Sequence, residues 1–189
     1  MQEQGPRRAR THELGCEPVF VRVLGIDPGL TRCGYAVVDG GPNEAAAVAL
    51  GVIRTPAGDH LPSRLAALQR ELSALLTEYG PAVVAVEQVF FQVNVRTAMS
   101  VGQASGLALA EAAAAGCEVV QYTPNQVKDA VAGWGGAPKE QVQKMVQARL
   151  RLAEPPRPPD AADAAALALC HLAMAPLRDR IARAAVGSR

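Results

Sequence analysis

The sequence predicts an α/β fold built on a five-stranded mixed sheet that is flanked by helices. Three short apolar runs near the start are joined by short turns, which favours an antiparallel meander. A leucine-rich helical stretch then precedes a fourth apolar run, and a helical crossover of this kind places the fourth strand parallel to the first. A fifth strand follows another helix. The expected sheet therefore has three antiparallel strands followed by two parallel ones.

The first strand covers residues 21–26 and ends at Asp27, where the sequence Asp-Pro-Gly breaks the apolar run as a turn. Residues 35–38 form the return strand and residues 47–55 the third strand. This hairpin holds Asp27 at the end of a rigid strand. Taken alone, Asp27 is also explained as turn chemistry, because Asp commonly bonds its own backbone in turns.

A helix is predicted next from leucines at helical spacing, and it ends at Gly80-Pro81. The leucines are Leu65, Leu68, Leu72, Leu75 and Leu76. Residues 82–86 are a short, wholly apolar strand, and Glu87 follows directly. Glu87 has two interpretations. It is either a solvated residue at a strand end or a site residue, and the second is possible because ligands of α/β sheets bind outside the carboxyl ends of the strands.

Residues 97–116 predict a helix of small side chains, which permits close approach either to the sheet or to the same helix of a second subunit. The fifth strand is expected at residues 119–123, and Pro124 opens a helix that ends at the glycines after residue 132. Another helix covers residues 139–152. The last covers residues 160–175. The alanine richness of the whole chain adds no further prediction.

The length of 189 residues predicts one domain with an ample core. We expect residues 1–18 to be a disordered extension, residues 19–175 the folded domain, and residues 176–189 a basic, solvated tail. No apolar run approaches the roughly 20 residues that a membrane span needs, and residues 1–18 have no apolar signal region, so a soluble, cytoplasmic protein is expected. Four scattered cysteines predict buried free thiols and no zinc site.

Charge is distributed unevenly, although the net charge is only +1. Residues 19–120 contain six arginines and nine acids, whereas residues 121–159 contain six basic residues and three acids. The second stretch is therefore a candidate basic face for a polyanion.

Two further acids, Asp160 and Asp163, lie in the first turn of the last helix and share one face at spacing i, i+3. Helix capping and dipole complementation explain them equally simply. His171 on the same helix is expected to be a core histidine.

Together the four acids indicate a metal site. Hard cations such as Mg²⁺ prefer oxygen ligands, and two ions about 3.5–4 Å apart can stabilise both the attacking and the leaving oxygen of a phosphoryl transfer. We therefore expect Asp27, Glu87, Asp160 and Asp163 to hold two Mg²⁺, with Mn²⁺ as a possible substitute.

Several blocks in this order also resemble the RuvC family of bacterial Holliday-junction resolvases, or crossover junction endodeoxyribonucleases. They are GIDPG followed by GY, LPSRL, VEQVF, GQA, QVK, KEQVQ and DAADA, and they extend over about residues 21–175. The resemblance implies a ribonuclease-H-like fold and a homodimer that nicks two strands of a four-way DNA junction symmetrically. It also implies the branch-migration proteins RuvA and RuvB as partners.

The resemblance assigns roles to individual residues. The acids of the family site match Asp27, Glu87, Asp160 and Asp163. The DNA-contacting lysines match Lys128 and Lys139, and the aromatic inserted near the junction centre matches Phe90, although Phe91 beside it leaves that choice open. The dimer helix of the family matches residues 97–116.

Three other functions are compatible with parts of the sequence. Actin-like ATPases share the acid-and-glycine turn after a first strand, but they need a second lobe for which this chain is too short. A YqgF-type nuclease linked to ribosomal RNA is closer in size, whereas VEQVF and the two lysines favour RuvC. The third alternative is a junction-binding module without catalysis.

Overall fold

The computed structural model describes residues 20–41, 43–88 and 95–187, without the side chains of 95–97, 179 and 181–187. Its elements are β1 (Val21–Asp27), β2 (Arg32–Gly40), β3 (Ala45–Arg54), α1 (Leu61–Tyr79), β4 (Val83–Glu87), α2 (Val95–Ala114), β5 (Glu118–Tyr122), α3 (Pro124–Ala132), α4 (Lys139–Arg149) and α5 (Pro159–Gly187). The predictions for residues 1–18, Phe90 and Phe91 fall outside the described residues.

One five-stranded sheet organises the fold, in the order β3-β2-β1-β4-β5. The pairs β1/β2 and β2/β3 are antiparallel, whereas β1/β4 and β4/β5 are parallel. The predicted mixed sheet of three antiparallel and two parallel strands is therefore confirmed.

The two faces of the sheet carry separate cores because side chains alternate along each strand. Leu24, Ile26 and Val84 face α1 and α2, and the leucines predicted from helical spacing, among them Leu68 and Leu72, complete that core. Alternate residues such as Val23 and Ala85 face the other side, where they join the core formed with α3, α4 and α5.

Helix α5 lies unusually close to the sheet because the residues at their contact are glycine and alanine. A Cβ at Gly25 would stand 2.0 Å from the carbonyl oxygen of Ala164, and one at Gly34 would stand 2.1 Å from that of Asp160. Residues 161–170 of the helix are almost all buried, and most are alanine. The alanine richness that suggested nothing from the sequence thus has a specific role, since it brings the first turn of α5 onto β2.

Two expectations about this helix need correction. The domain boundary expected after residue 175 falls inside α5, which continues through Pro176 to Gly187. By length and composition the segment Pro159–Arg178 could also cross a membrane, contrary to the expectation that no segment would qualify. Most of it is buried in the core, which accounts for its apolar composition.

Candidate active site

The carboxyl ends of β1 and β4 open into a cavity of about 340 Å³ between the sheet, α3, α4 and α5. Its polar lining consists of Asp27, Glu87, Asp163, Lys128 and Lys139. The remaining wall is apolar and includes Pro124, Val127, Val142, Ala166 and Leu167. Five of the residues singled out from the sequence therefore meet in one place, although they are far apart in the chain.

Sheet register brings the first two acids together. Ile26 pairs with Val86 in the parallel β1/β4 ladder, so Asp27 and Glu87, one residue further on, lie side by side. Both belong to the set of alternate side chains that faces α5, because they are two residues beyond Gly25 and Ala85. The predicted juxtaposition of these strand-end acids is present in the structure.

The two strand-end carboxyls are costly to ionise at this position. Burial raises the pKa of Asp27 to about 7, with further contributions from the negative charges of Glu87, Asp163 and Asp160. Burial also raises the pKa of Glu87, and Asp163 adds to the effect. The lysines act in the opposite direction without cancelling it. The end of the sheet therefore carries an excess of negative potential.

Each of the two acids of α5 is hydrogen-bonded to a basic side chain. Nε and Nη2 of Arg32 donate to Oδ2 of Asp160 at 3.1 and 2.5 Å, and this hydrogen bonding lowers the pKa of Asp160. Nζ of Lys139 donates to Oδ2 of Asp163 at 2.6 Å. Burial alone would lower the pKa of Lys139, but its hydrogen bond and charge interaction with Asp163 outweigh that effect and raise it.

Asp160 lies beside the cavity and is not part of its lining, because its carboxylate is directed to Arg32. Within the part of the chain that the structure describes, no set of three or more His, Cys, Asp or Glu residues is already arranged around a metal position. The predicted quartet is thus gathered at one end of the sheet, with three acids around the cavity and the fourth paired to an arginine.

The loop after Asp27 is fixed by residues of the LPSRL block. Arg64 donates from Nη2 to Oγ1 of Thr31 at 2.7 Å and from Nε to Oγ1 of Thr55 at 3.0 Å. The Thr55 hydroxyl in turn donates to the carbonyl of Leu30 at 2.5 Å. This network joins α1 and the end of β3 to the turn that follows the first acid, which gives the block a structural role.

Lys128 is positioned by a well-capped α3. Thr123 accepts a hydrogen bond from the backbone N–H of Gln126 at 3.2 Å, and the Gln126 side chain accepts one from the Thr123 N–H at 2.9 Å. This reciprocal capping fixes the first turn of the helix, with Pro124 at its start facing the cavity.

Sequence reasoning missed Arg32 as a site residue. The available signal was its position in the short segment between the first acid and the return strand, at the same sheet end as Asp27. His171 conforms to its expected core role, since it is 4% exposed and its Nδ1 lies 3.0 Å from the hydroxyl oxygen of Tyr122. Cys33 and Cys170 are buried free thiols, as expected.

Comparison with known proteins decides the family. The family model described as Crossover junction endodeoxyribonuclease RuvC matches residues 23–171, which include all four acids and both lysines. The chain belongs to the RuvC family. Its RuvC relatives include that of Salinispora arenicola, 54% identical over 170 residues, or 89% of this chain and 97% of the relative. That of Thermobifida fusca is 52% identical over 165 residues, or 87% and 91%.

Solved RuvC structures agree with this assignment. Thermus thermophilus RuvC in complex with a Holliday junction substrate matches with a TM-score of 0.79 at 39% identity, covering 83% of this chain and 96% of that one. The yeast mitochondrial Holliday junction resolvase Ydc2 matches at 17% identity with a TM-score of 0.61, covering 81% and 79%, and so supports the fold alone. The ribonuclease-H-like fold expected from the RuvC resemblance is confirmed.

Proposed function

We propose that this chain resolves four-way DNA junctions in recombination and repair, as a structure-selective endonuclease that nicks two strands in a metal-dependent reaction. The observation that carries the proposal is the meeting of carboxylates and lysines in one cavity. The carboxylates come from two strand ends and from α5, and the lysine-bearing wall consists of Lys128 of α3 and Lys139 of α4. Membership of the RuvC family supports the same reaction.

The donor chemistry of the site fits a hard divalent cation. All four acids offer oxygen ligands. Burial, together with the neighbouring acids, raises the pKa values of Asp27 and Glu87, so a bound cation would favour their charged forms. Asp27, Glu87, Asp160 and Asp163 would hold two Mg²⁺ or Mn²⁺. When bound, the metal supplies activation of a water nucleophile and stabilisation of the leaving oxygen.

The residues of the chain bind and orient the DNA around that centre. Lys128 and Lys139 bind phosphate oxygens beside the scissile bond, and Lys139 remains charged because Asp163 raises its pKa. The apolar wall, which includes Val127 and Leu167, limits the access of bulk water. Hydrolysis would leave 5′-phosphate and 3′-hydroxyl ends that can be religated.

A homodimer is the proposed functional unit, because paired nicks require two sites. Helix α2 packs on the sheet through Ala104, Ala108 and Ala112, which are buried. A Cβ at Gly102 or Gly106 would meet no atom within 4 Å, so another face of α2 is open to a second copy. RuvA and RuvB as partners, Phe90 as an inserted aromatic and a cytoplasmic location are further parts of this proposal.

The test is cleavage of a synthetic four-way DNA junction, with linear duplex DNA and a structured RNA as comparison substrates. We expect paired nicks in the junction with Mg²⁺, none with a chelator, and little cleavage of duplex or RNA. Preferential RNA cleavage would favour a YqgF-type nuclease. Tight junction binding without any metal-dependent nicking would leave only a binding module.

A further inference from the structure

The loop at residues 133–138, which connects α3 to α4, carries the only tryptophan of the chain. Trp134 is 53% exposed, whereas a tryptophan normally contributes much of its large apolar surface to a core or an interface. Neither core of the molecule includes it. Because tryptophan is enriched at binding interfaces, Trp134 is a candidate contact for a binding partner.

The ring of Trp134 is supported by the loop backbone. A Cβ at Gly136 would stand 2.3 Å from Cζ3 of the indole, so the ring lies directly against Gly136 and only glycine leaves room for it. Gly133 ends α3 in the left-handed region at φ +87°, and the Ala137 N–H donates to the Trp134 carbonyl at 3.2 Å. One part of the indole is thus seated on backbone while about half of the side chain is exposed.

This loop is anchored next to the candidate active site. A Cβ at Gly135 would lie 3.5 Å from the carbonyl oxygen of Asn125, so the loop folds back onto the first turn of α3, next to the cavity residue Pro124. At its other end the loop leads through Pro138 to Lys139, which lines the same cavity. The loop that carries Trp134 therefore adjoins the lysine-bearing wall, although Trp134 itself does not line the cavity.

The residue types of the lysine-bearing wall indicate which class of partner binds there. Lys128 and Lys139 line the cavity on this side. Cations interleaved with an exposed aromatic are typical of nucleic-acid surfaces, where the cations bind phosphates and the aromatic stacks on bases. A protein partner would favour apolar surroundings, whereas the surroundings of Trp134 are basic.

We propose that Trp134 is a DNA-binding residue that stacks on an unpaired base of the junction strand held by Lys128 and Lys139. The inference rests on the proposed function, because it requires a nucleic acid at this wall. It adds a contact that none of the carboxylates or lysines provides, since stacking acts on the exposed face of a base and not on its phosphate.

The intrinsic fluorescence of Trp134 provides a direct test, because no other tryptophan contributes to the emission. The Asp27→Asn variant, chosen to prevent cleavage, is titrated with a four-way junction while binding is followed independently by the anisotropy of a dye on the DNA. We expect the tryptophan emission to be quenched in parallel with the anisotropy change. Emission that stays constant at saturation would overturn the proposal.

Variants separate stacking from a structural role of the loop. In the same Asp27→Asn background, Trp134→Ala should weaken junction binding by about tenfold, whereas Trp134→Phe retains an aromatic ring and should lose less than threefold. Val48→Ala removes an exposed apolar side chain from the edge strand β3 and serves as the matched control, with no change expected. Equal binding by the alanine and phenylalanine variants would overturn the proposal.

Failure of the inference and failure of the proposed function are distinguishable. If the parent protein binds and cleaves junctions, but the Trp134 emission does not change and the Trp134 variants bind normally, only the role of Trp134 is refuted. If the parent protein neither binds nor cleaves junctions, the proposed function itself is refuted. Circular dichroism of Trp134→Ala establishes that the variant is folded, and the fluorescence titration, which uses the intact tryptophan, does not depend on that variant.

Discussion

The two pairs of acids at the candidate site are placed by different physical means. Asp27 and Glu87 come from adjacent strand ends, and both have raised pKa values because burial disfavours their charge. Asp160 and Asp163 come from the first turn of a helix, and each is hydrogen-bonded to a cation. The strand pair is thus disfavoured in its charged form by burial, whereas each acid of the helix pair is hydrogen-bonded to a basic side chain.

The largest expected effect concerns the strand pair. Asp27→Asn should slow junction cleavage by about a thousandfold or more, equivalent to roughly 4 kcal/mol, because an amide cannot supply the negative oxygen that the metal site needs. Junction binding should be nearly unchanged, since Lys128 and Lys139 of the lysine-bearing wall are intact. The measurement is single-turnover cleavage together with anisotropy.

Asp39→Asn is the matched control for that substitution. Asp39 pairs with Arg22 at the opposite end of the β1/β2 ladder, far from the cavity. The control should cleave at the rate of the unmodified protein. Near-normal cleavage by Asp27→Asn would remove the strand pair from the mechanism altogether.

The next largest effect tests the helix pair, Asp160 and Asp163, while the strand pair, Asp27 and Glu87, stays in place. Gly34→Ala places a methyl group against the carbonyl of Asp160, at a distance that requires α5 to move. We expect a loss of about 2–3 kcal/mol in the free energy of unfolding, and a thermal midpoint lower by roughly 5–10 °C. Displacement of Asp160 and Asp163 should also reduce cleavage, while Asp27 and Glu87 stay in register.

Gly58→Ala provides the comparison for Gly34→Ala, because a Cβ at Gly58 would meet no atom within 4 Å. Its stability should change by less than about 0.5 kcal/mol. Equal melting temperatures for the two variants would show that the helix is not held as closely to β2 as the structure indicates.

The strand pair was predictable from the sequence, and the reason is geometric. Each acid directly follows an apolar strand, and a helical crossover between the two strands makes them parallel, so their carboxyl ends share one edge of the sheet. The five strands and their directions followed from the same reasoning, with errors of a few residues at the boundaries.

The pairing of the helix acids was not predictable in the same way. Arg32 and Asp160 are 128 residues apart, and nothing local in either segment indicates their contact. The close approach of α5 depends on Gly25 and Gly34. A glycine inside a strand can mark the close approach of another backbone, but it does not indicate which segment approaches. Continuation of α5 through Pro176 was missed because proline usually ends a helix.

The dependence of stability on pH should have opposite sign for Asp27 and for Asp160 when metal is chelated. The folded state raises the pKa of Asp27 from 3.8 to about 7, so it binds more protons than the unfolded state in that interval, and stability falls as the pH rises through it. Asp160 has a lowered pKa, so its stabilising contribution is present above the ordinary value and is lost as the pH falls through the folded value.

Denaturant unfolding in a chelator at pH 5 and pH 8 measures this difference. The rise in the pKa of Asp27 corresponds to roughly 4 kcal/mol at pH 8. Because burial of the uncharged amide offsets part of this gain, Asp27→Asn should be more stable than the unmodified protein by about 1–2 kcal/mol. The advantage should shrink at pH 5. Asp160→Asn should be less stable than the unmodified protein at both values, and a stabilising effect of that substitution would contradict the assigned role of Arg32.

The smallest expected effect concerns Lys139, which is hydrogen-bonded to Asp163 and lines the cavity. If Lys139 neutralises one phosphate, Lys139→Ala should lower the slope of log binding constant against log salt by about one unit, because one fewer counterion is released. Lys144→Ala is the control, since Lys144 is exposed on the same helix but does not line the cavity. An identical slope change for both lysines would indicate diffuse attraction, whereas a change confined to Lys139 would place the phosphate at the cavity, beside Asp163 and the strand pair.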